Sequence, residues 1–223
     1  MKKILVLIII LISSKVLAHM DHYKKYNKIE MDIFRNGELI GYNYYFFTRK
    51  GDETIVTNQI KFSVKILGAT IFQVEGYGEE KYIKDQLISY ESKTLQNDKE
   101  KFVNLVFDEN KFNVKGSSYS GEASINNIVG NWWNHKILQT DSQISPISGS
   151  IKKQVVTFVG KEKIEQYGKI YEVDHFKLKS KDISLPRDKR LDFDIWFDKK
   201  SSMIIRVSYS RMGNWEYRLK NFE

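Results

Sequence analysis

The residues best suited to chemistry lie in two short stretches. Residues 126–140, NNIVGNWWNHKILQT, place Trp132 and Trp133 side by side, with Asn134 and His135 directly after them. Residues 191–198, LDFDIWFD, set Asp192, Asp194 and Asp198 at even spacing together with Trp196. Successive strand side chains face opposite sides of a sheet, so these carboxylates and Trp196 share one face of a strand. Carboxylates on one face suit acid–base work or a hard cation. Tryptophan joins a large apolar body to an N–H that seeks an acceptor, which Asp194 or Asn134 can supply. Trp132, Trp133, Asn134, His135, Asp194 and Trp196 are therefore the expected ligand-binding set, with the tryptophan segment covering the Trp196 face. The competing account is packing: aspartates on a wetted face, tryptophans anchoring an irregular segment, and His135 at its solvent edge.

Other chemistry finds less support. His19 and His22 in HMDH suit copper or nickel chelation once the chain starts at His19, but residues before a first strand are usually frayed. His135 and His175 have no partner at ligand spacing, so neither metal nor cofactor is expected. Ser118 in GSSYSG lacks the glycine two residues on that a nucleophile elbow needs. Asp174 and His175 are adjacent on a strand and face opposite sides, so they form no direct dyad. Aromatics interleave with lysines, yet they follow the dry phase of each strand, unlike the exposed stacking platform of a nucleic-acid binder. No catalytic residue is assigned; a hydrolase acting through Asp194 and His135 is the second alternative to a binding protein.

The elements that must position these residues are strands. In VTNQIKFSVKI, Ile60, Phe62, Val64 and Ile66 point one way, and Gln59, Lys61, Ser63 and Lys65 the other. Met203, Ile205, Val207 and Tyr209 alternate likewise, as do Trp215, Tyr217 and Leu219. A sheet with one solvated face is antiparallel. Asn36-Gly37 is the strongest turn, because a type I′ hairpin needs positive φ at both central residues. Gly51-Asp52, Asn97-Asp98, Glu109-Asn110 and the residues after Asp198 read as further turns. Pro146 and Pro186 fall outside the strands. From Ser124, a candidate N-cap, Ile125, Ile128, Val129 and Trp132 follow helical spacing, weakened by Gly130.

The first 18 residues, MKKILVLIIILISSKVLA, give the address. Two lysines precede an apolar run from Ile4 to Ile12, and Val16 and Ala18 supply the small residues of a cleavage site. Nine apolar residues are too few to cross the roughly 30 Å of a bilayer core. A signal peptide over 1–18 and one β domain over 19–223 are expected, periplasmic or secreted and not membrane-spanning after cleavage. The chain has no cysteine, so a hydrophobic core alone must hold the fold. Cleavage removes Lys2, Lys3 and Lys15 and no acid, which lowers the formal charge from +8 to +5.

The second half carries a recognisable series: NWWNHKIL, then VGKEKIEQYGKIYEVDHFKLKSK, then LDFDIWFDKKSSMIIRVSYSRMGNWEYRLKN. It resembles domain-of-unknown-function family 6134, uncharacterised exported bacterial proteins rich in β structure. The matching positions are Trp133, Asn134, Ile137 and Leu138, then Asp194, Trp196, Phe197 and Asp198, then Gly213 and Tyr217. Phe197 stands where tyrosine is usual, and the basic stretch KLKSKDISLPRDKR is longer than usual. The N-terminal half matches more loosely. The family is similar in look to the half-barrels that carry lipoproteins or lipids in the periplasm, which is an analogy of fold and not of function.

The expected architecture is an all-β, curved antiparallel sheet or half-barrel. It has about ten or eleven strands and one short helix or irregular insert around 124–138. The expected function is non-enzymatic binding of a lipid or other hydrophobic small molecule on the concave face. An envelope protein–protein interaction module is the first alternative.

Overall fold

The computed structural model describes residues 19–223, so the expected signal peptide lies outside the described residues. After a 3-10 turn at His19–Tyr23, hairpins follow one another: β1 (Lys28–Arg35), β2 (Glu38–Lys50), β3 (Glu53–Ile66), β4 (Ala69–Ile83), β5 (Gln86–Gln96), β6 (Lys99–Asp108), β7 (Lys111–Gly116) and β8 (Ser120–Ser124). The insert carries β9 (Ile128–Val129), a 3-10 helix His135–Leu138 and β10 (Ser142–Ile144). The chain then returns through β11 (Ile151–Gln166), β12 (Lys169–Ser180), a 3-10 turn Arg187–Lys189, β13 (Asp192–Asp198), β14 (Met203–Ser210) and β15 (Asn214–Phe222). Among the described residues no helix is long and apolar enough to cross a membrane.

All strands join one open, curved sheet in the order β8-β7-β6-β5-β4-β3-β2-β1-β15-β14-β13-β12-β11-β10-β9. Every pairing is antiparallel except β9 with β10. Local turn chemistry drives this meander. Asn36 and Gly37 have φ of 51° and 83°, the doubly positive pair of a type I′ hairpin, whose twist matches that of the flanking strands. One long-range pairing joins the two halves: β1 lies against β15, with Ile33 opposite Tyr217.

Three expectations need correction. The sheet has 15 strands among the described residues, not ten or eleven; β9 lies inside the region read as irregular and β8 and β10 flank it, all too short to show periodicity. The helical spacing from Ser124 does not make a helix. Ser124 ends a strand and Ile125 is exposed. The β-branched Ile128 and Val129 pair with β10 instead, and Asn134 caps the 3-10 helix by accepting from the Lys136 N–H at 3.0 Å. Finally, Met203 through Tyr209 do not alternate cleanly. The pairing of β13 with β14 shifts between Trp196 and Phe197, setting Phe197 against Ile204 and Trp196 against Arg206. This leaves Ile205 as a bulge, so Ile204 and Val207 pack together with Ile137 and Ile195.

The insert lies across the concave face and ties the ends of the sheet together. Gln154 on β11 donates to the carbonyls of Ile137 and Thr140 at 2.8 and 3.0 Å. At the other end, Tyr90 and Ser92 on β5 donate to the Pro146 carbonyl at 3.0 and 2.7 Å, and the Ser118 N–H donates to Ser148 at 2.9 Å. The β11–β12 hairpin folds over the opposite face, where Gln166 donates to the carbonyls of Ile205 and Leu219 at 3.0 and 2.7 Å.

Candidate functional site

The two tryptophans part company. Trp133 is 1% exposed, its ring edge-on to Tyr23, Phe47 and Tyr82 at 5.0, 5.4 and 5.9 Å. Its indole N–H donates to Glu80 Oε1 at 2.8 Å, and Asn131 Nδ2 donates to the same oxygen at 2.7 Å. Glu80 Oε2 accepts from the Tyr82 hydroxyl at 2.5 Å. Burial pushes the Glu80 carboxyl above its ordinary range, and the three donors act in the opposite direction. Sequence reasoning passed over Glu80. The signal was present: Glu80 occupies the buried phase of β4 with Val74, Gly78 and Tyr82.

Asn134 and His135 are also buried. The Tyr23 hydroxyl lies 2.6 Å from His135 Nδ1 and accepts from the His135 backbone N–H at 3.1 Å. A hydroxyl donating to Nδ1 requires the neutral tautomer with its hydrogen on Nε2. Desolvation, helped by neighbouring His22 and Lys136, lowers the imidazole to about 4. His135 therefore sits inside the insert, against Phe197 at 5.2 Å, and not at its solvent edge. The edge was expected because the segment is short and polar, but its asparagines turn inward to serve as caps and donors.

Trp132 faces open space. Its backbone N–H donates to the Tyr45 hydroxyl at 3.1 Å, which also accepts from Asn43 at 2.7 Å. Its ring meets Phe193 at 5.1 Å and Tyr217 at 6.1 Å. Beside it, the concave face leaves a groove of about 1310 Å³, whose lining includes Tyr45, Tyr90, Trp132, Phe193, Tyr209 and Tyr217. Asn43, Asn58, Ser92 and Asn131 add polar groups. A concavity that combines aromatic side chains with fixed donors and acceptors is a usual setting for a small-molecule site.

Asp194 and Trp196 lie elsewhere. Strand β13 is regular against β12, so Phe193, Ile195 and Phe197 meet the insert while Asp194 and Trp196 point to the opposite face. The tryptophan segment thus covers the Phe193 side and not the Trp196 side. On that opposite face His175 bridges two acids, with Nδ1 2.7 Å from Glu162 Oε1 and Nε2 2.9 Å from Asp194 Oδ1. Trp196 stacks on His175 at 4.7 Å and donates to Glu162 at 3.0 Å. Partial burial works against the Asp194 carboxylate, but hydrogen bonds from Lys177 and His175 outweigh it and hold the group below its ordinary range. His175 does have partners, invisible to spacing because they come from β11 and β13. Asp194 and His135, the pair of the hydrolase alternative, are separated by the sheet. Asp198 caps the β13–β14 turn, accepting from the Lys200 and Ser201 N–H groups at 3.0 and 3.1 Å. Among the described residues, no group of three or more histidine, aspartate or glutamate side chains is arranged to hold a metal ion.

Comparison with known proteins gives a fold and a family. No curated protein matches the chain. The structure is similar to a β-barrel-like protein of the domain of unknown function DUF1849 from Brucella abortus. That likeness has a TM-score of 0.60 at 9% identity, over 88% of this chain and 96% of the other, which shows a common fold. A DUF1329 family protein from Desulfovibrio piger ATCC 29098 aligns over 92% of this chain and 88% of its own, at 11% identity and a TM-score of 0.22, too low to carry an argument. The model of the domain of unknown function DUF6134 matches residues 31–220, nearly the whole sheet, and the chain belongs to that family.

Proposed function

We propose that this protein is exported, through a signal peptide over residues 1–18, and acts outside the cytoplasm as a single-domain, non-enzymatic carrier of a lipid or other hydrophobic small molecule. The observation that supports this reading is the aromatic groove floored by Trp132. The insert fills one half of the concave face with Trp133 and leaves the other half open beside Trp132. A sheet packed solely by its own side chains favours a protein-docking module; a groove of this volume favours a ligand. Trp132 is the one residue of the expected ligand-binding set that lines it. Trp133, Asn134 and His135 support it from beneath, and Asp194 and Trp196 hold the far face.

Native mass spectrometry of the protein recovered from the extracytoplasmic fraction tests the proposal. The expected result is a mass excess that disappears on organic extraction, together with uptake of a fluorescent fatty acid by the extracted protein. A clean, unliganded mass combined with no uptake would overturn it.

A further inference from the structure

The groove differs from the rest of the surface in charge. Its lining holds seven basic side chains, Lys101, Lys152, Lys179, Arg187, Lys189, Arg190 and Arg211, and two acidic ones, Asp188 and Asp192. The full chain has 36 Lys and Arg against 28 Asp and Glu, and Lys2, Lys3 and Lys15 precede the described residues, which leaves 33 against 28. Removing the groove residues leaves 26 of each sign. The whole positive excess of the described protein is therefore concentrated on one concavity.

These cations also make no close ion pairs. Elsewhere on the sheet, Lys28, Lys61, Lys81, Lys111, Lys163 and Lys177 each lie within 3.0 Å of a carboxylate. Among the described residues, none of the seven groove cations forms an ion pair. Arg211 and Arg190 donate only to backbone carbonyls, those of Arg190 and Leu185, at 2.9 and 2.5 Å, which holds the 185–190 loop against the 211–213 turn. An excess of like charge around a concave wall focuses the field into the cleft, raising the local concentration of an oppositely charged ligand. Among the same lining residues, Ile183 and Met212 are 80% and 82% exposed, so apolar surface lies beside the charge.

We propose that the groove's ligand is an anionic amphiphile, its apolar part on the Trp132 floor and its acidic head group among Lys152, Arg187 and Arg211. This rests on the carrier reading above and names the ligand class within it. The aromatic floor accounts for a tail, and the unpaired cations account for a carboxylate or phosphate.

Uptake of cis-parinaric acid and of its methyl ester by the extracted protein, followed by fluorescence, tests the assignment. The acid is expected to bind about tenfold tighter than the ester, with the preference shrinking as salt is raised. A Lys152→Gln/Arg187→Gln/Arg211→Gln variant should lose that preference and keep ester binding. An equal loss of charge at ion-paired sites, Lys61→Gln/Lys111→Gln/Lys163→Gln, should preserve it. Equal affinity for acid and ester overturns the head-group assignment and leaves the carrier reading intact. Dextran sulfate, a polyanion without a tail, displacing the acid at equal affinity also overturns it. Failure of both probes to enter overturns the carrier reading and this assignment together.

Discussion

Trp133 and Glu80, fifty-three residues apart, meet through an indole N–H donated to a buried carboxylate oxygen at 2.8 Å. This contact pins the insert to β4 and decides which half of the concave face is filled. Glu80 also receives Asn131 and Tyr82, so one carboxyl satisfies three buried donors. Truncating it strands all three, and an unsatisfied buried polar group costs about 1–3 kcal/mol. Glu80→Ala should therefore lower unfolding stability by about 3 kcal/mol or more in urea titrations at pH 7, whereas Glu80→Gln keeps acceptor and shape and loses much less.

The same carboxyl carries a pH signature. Its folded pKa is raised, so the folded state binds the proton more readily, and this contribution is present at low pH and lost as pH rises through the folded value. Glu80→Gln should remove that fall, and the difference between variant and wild-type stability curves measured across pH shows it.

His135 works in the opposite sense. Its folded pKa of about 4 lies below the ordinary 6.5, so the unfolded state binds more protons between those values. Stability from the neutral ring is complete above about pH 6.5 and is lost as pH falls toward 4, by roughly 3 kcal/mol in all. NMR titration should find the His135 ring neutral at pH 5.5, and His135→Gln should flatten that part of the stability curve.

The two adjacent tryptophans should separate stability from uptake. Trp133→Ala empties a packed site and should cost about 3–5 kcal/mol. Trp132→Ala removes a half-buried ring and should cost roughly 1–2 kcal/mol while abolishing fluorescent fatty-acid uptake. Urea titration beside the uptake assay separates the two effects.

Asp194→Asn and Trp196→Ala loosen the Glu162–His175–Asp194 bridge on the face opposite the groove. Both variants should take up the probe at the wild-type level. Loss of uptake in either folded variant would place the ligand on that face instead.

Local sequence determined the architecture. Alternation in β3 assigned a dry face to Ile60, Phe62 and Val64, failing only at Ile66, which is exposed beyond a register shift, and Asn36-Gly37 specified a turn, because each depends on neighbours within a few residues. The family resemblance, carried by Trp133, Asn134, Asp194, Trp196, Gly213 and Tyr217, agrees with the match over residues 31–220. Shorter signals misled: β9 spans two residues, too few for a period, and the bulge at Ile205 reversed a phase that alternation alone extends without limit.

Tertiary structure decided what the chemistry-bearing residues do. Adjacent residues of an irregular segment have no fixed phase, so nothing local could send Trp133 inward to Glu80 and Trp132 outward to the groove. His175 finds Glu162 and Asp194 only because β12 lies between β11 and β13. The seven groove cations, scattered from Lys101 to Arg211, become one basic surface only when the sheet curves. The chain specifies each strand by short-range alternation and turn geometry, whereas a site is a property of register and curvature, which are fixed only by long-range pairing.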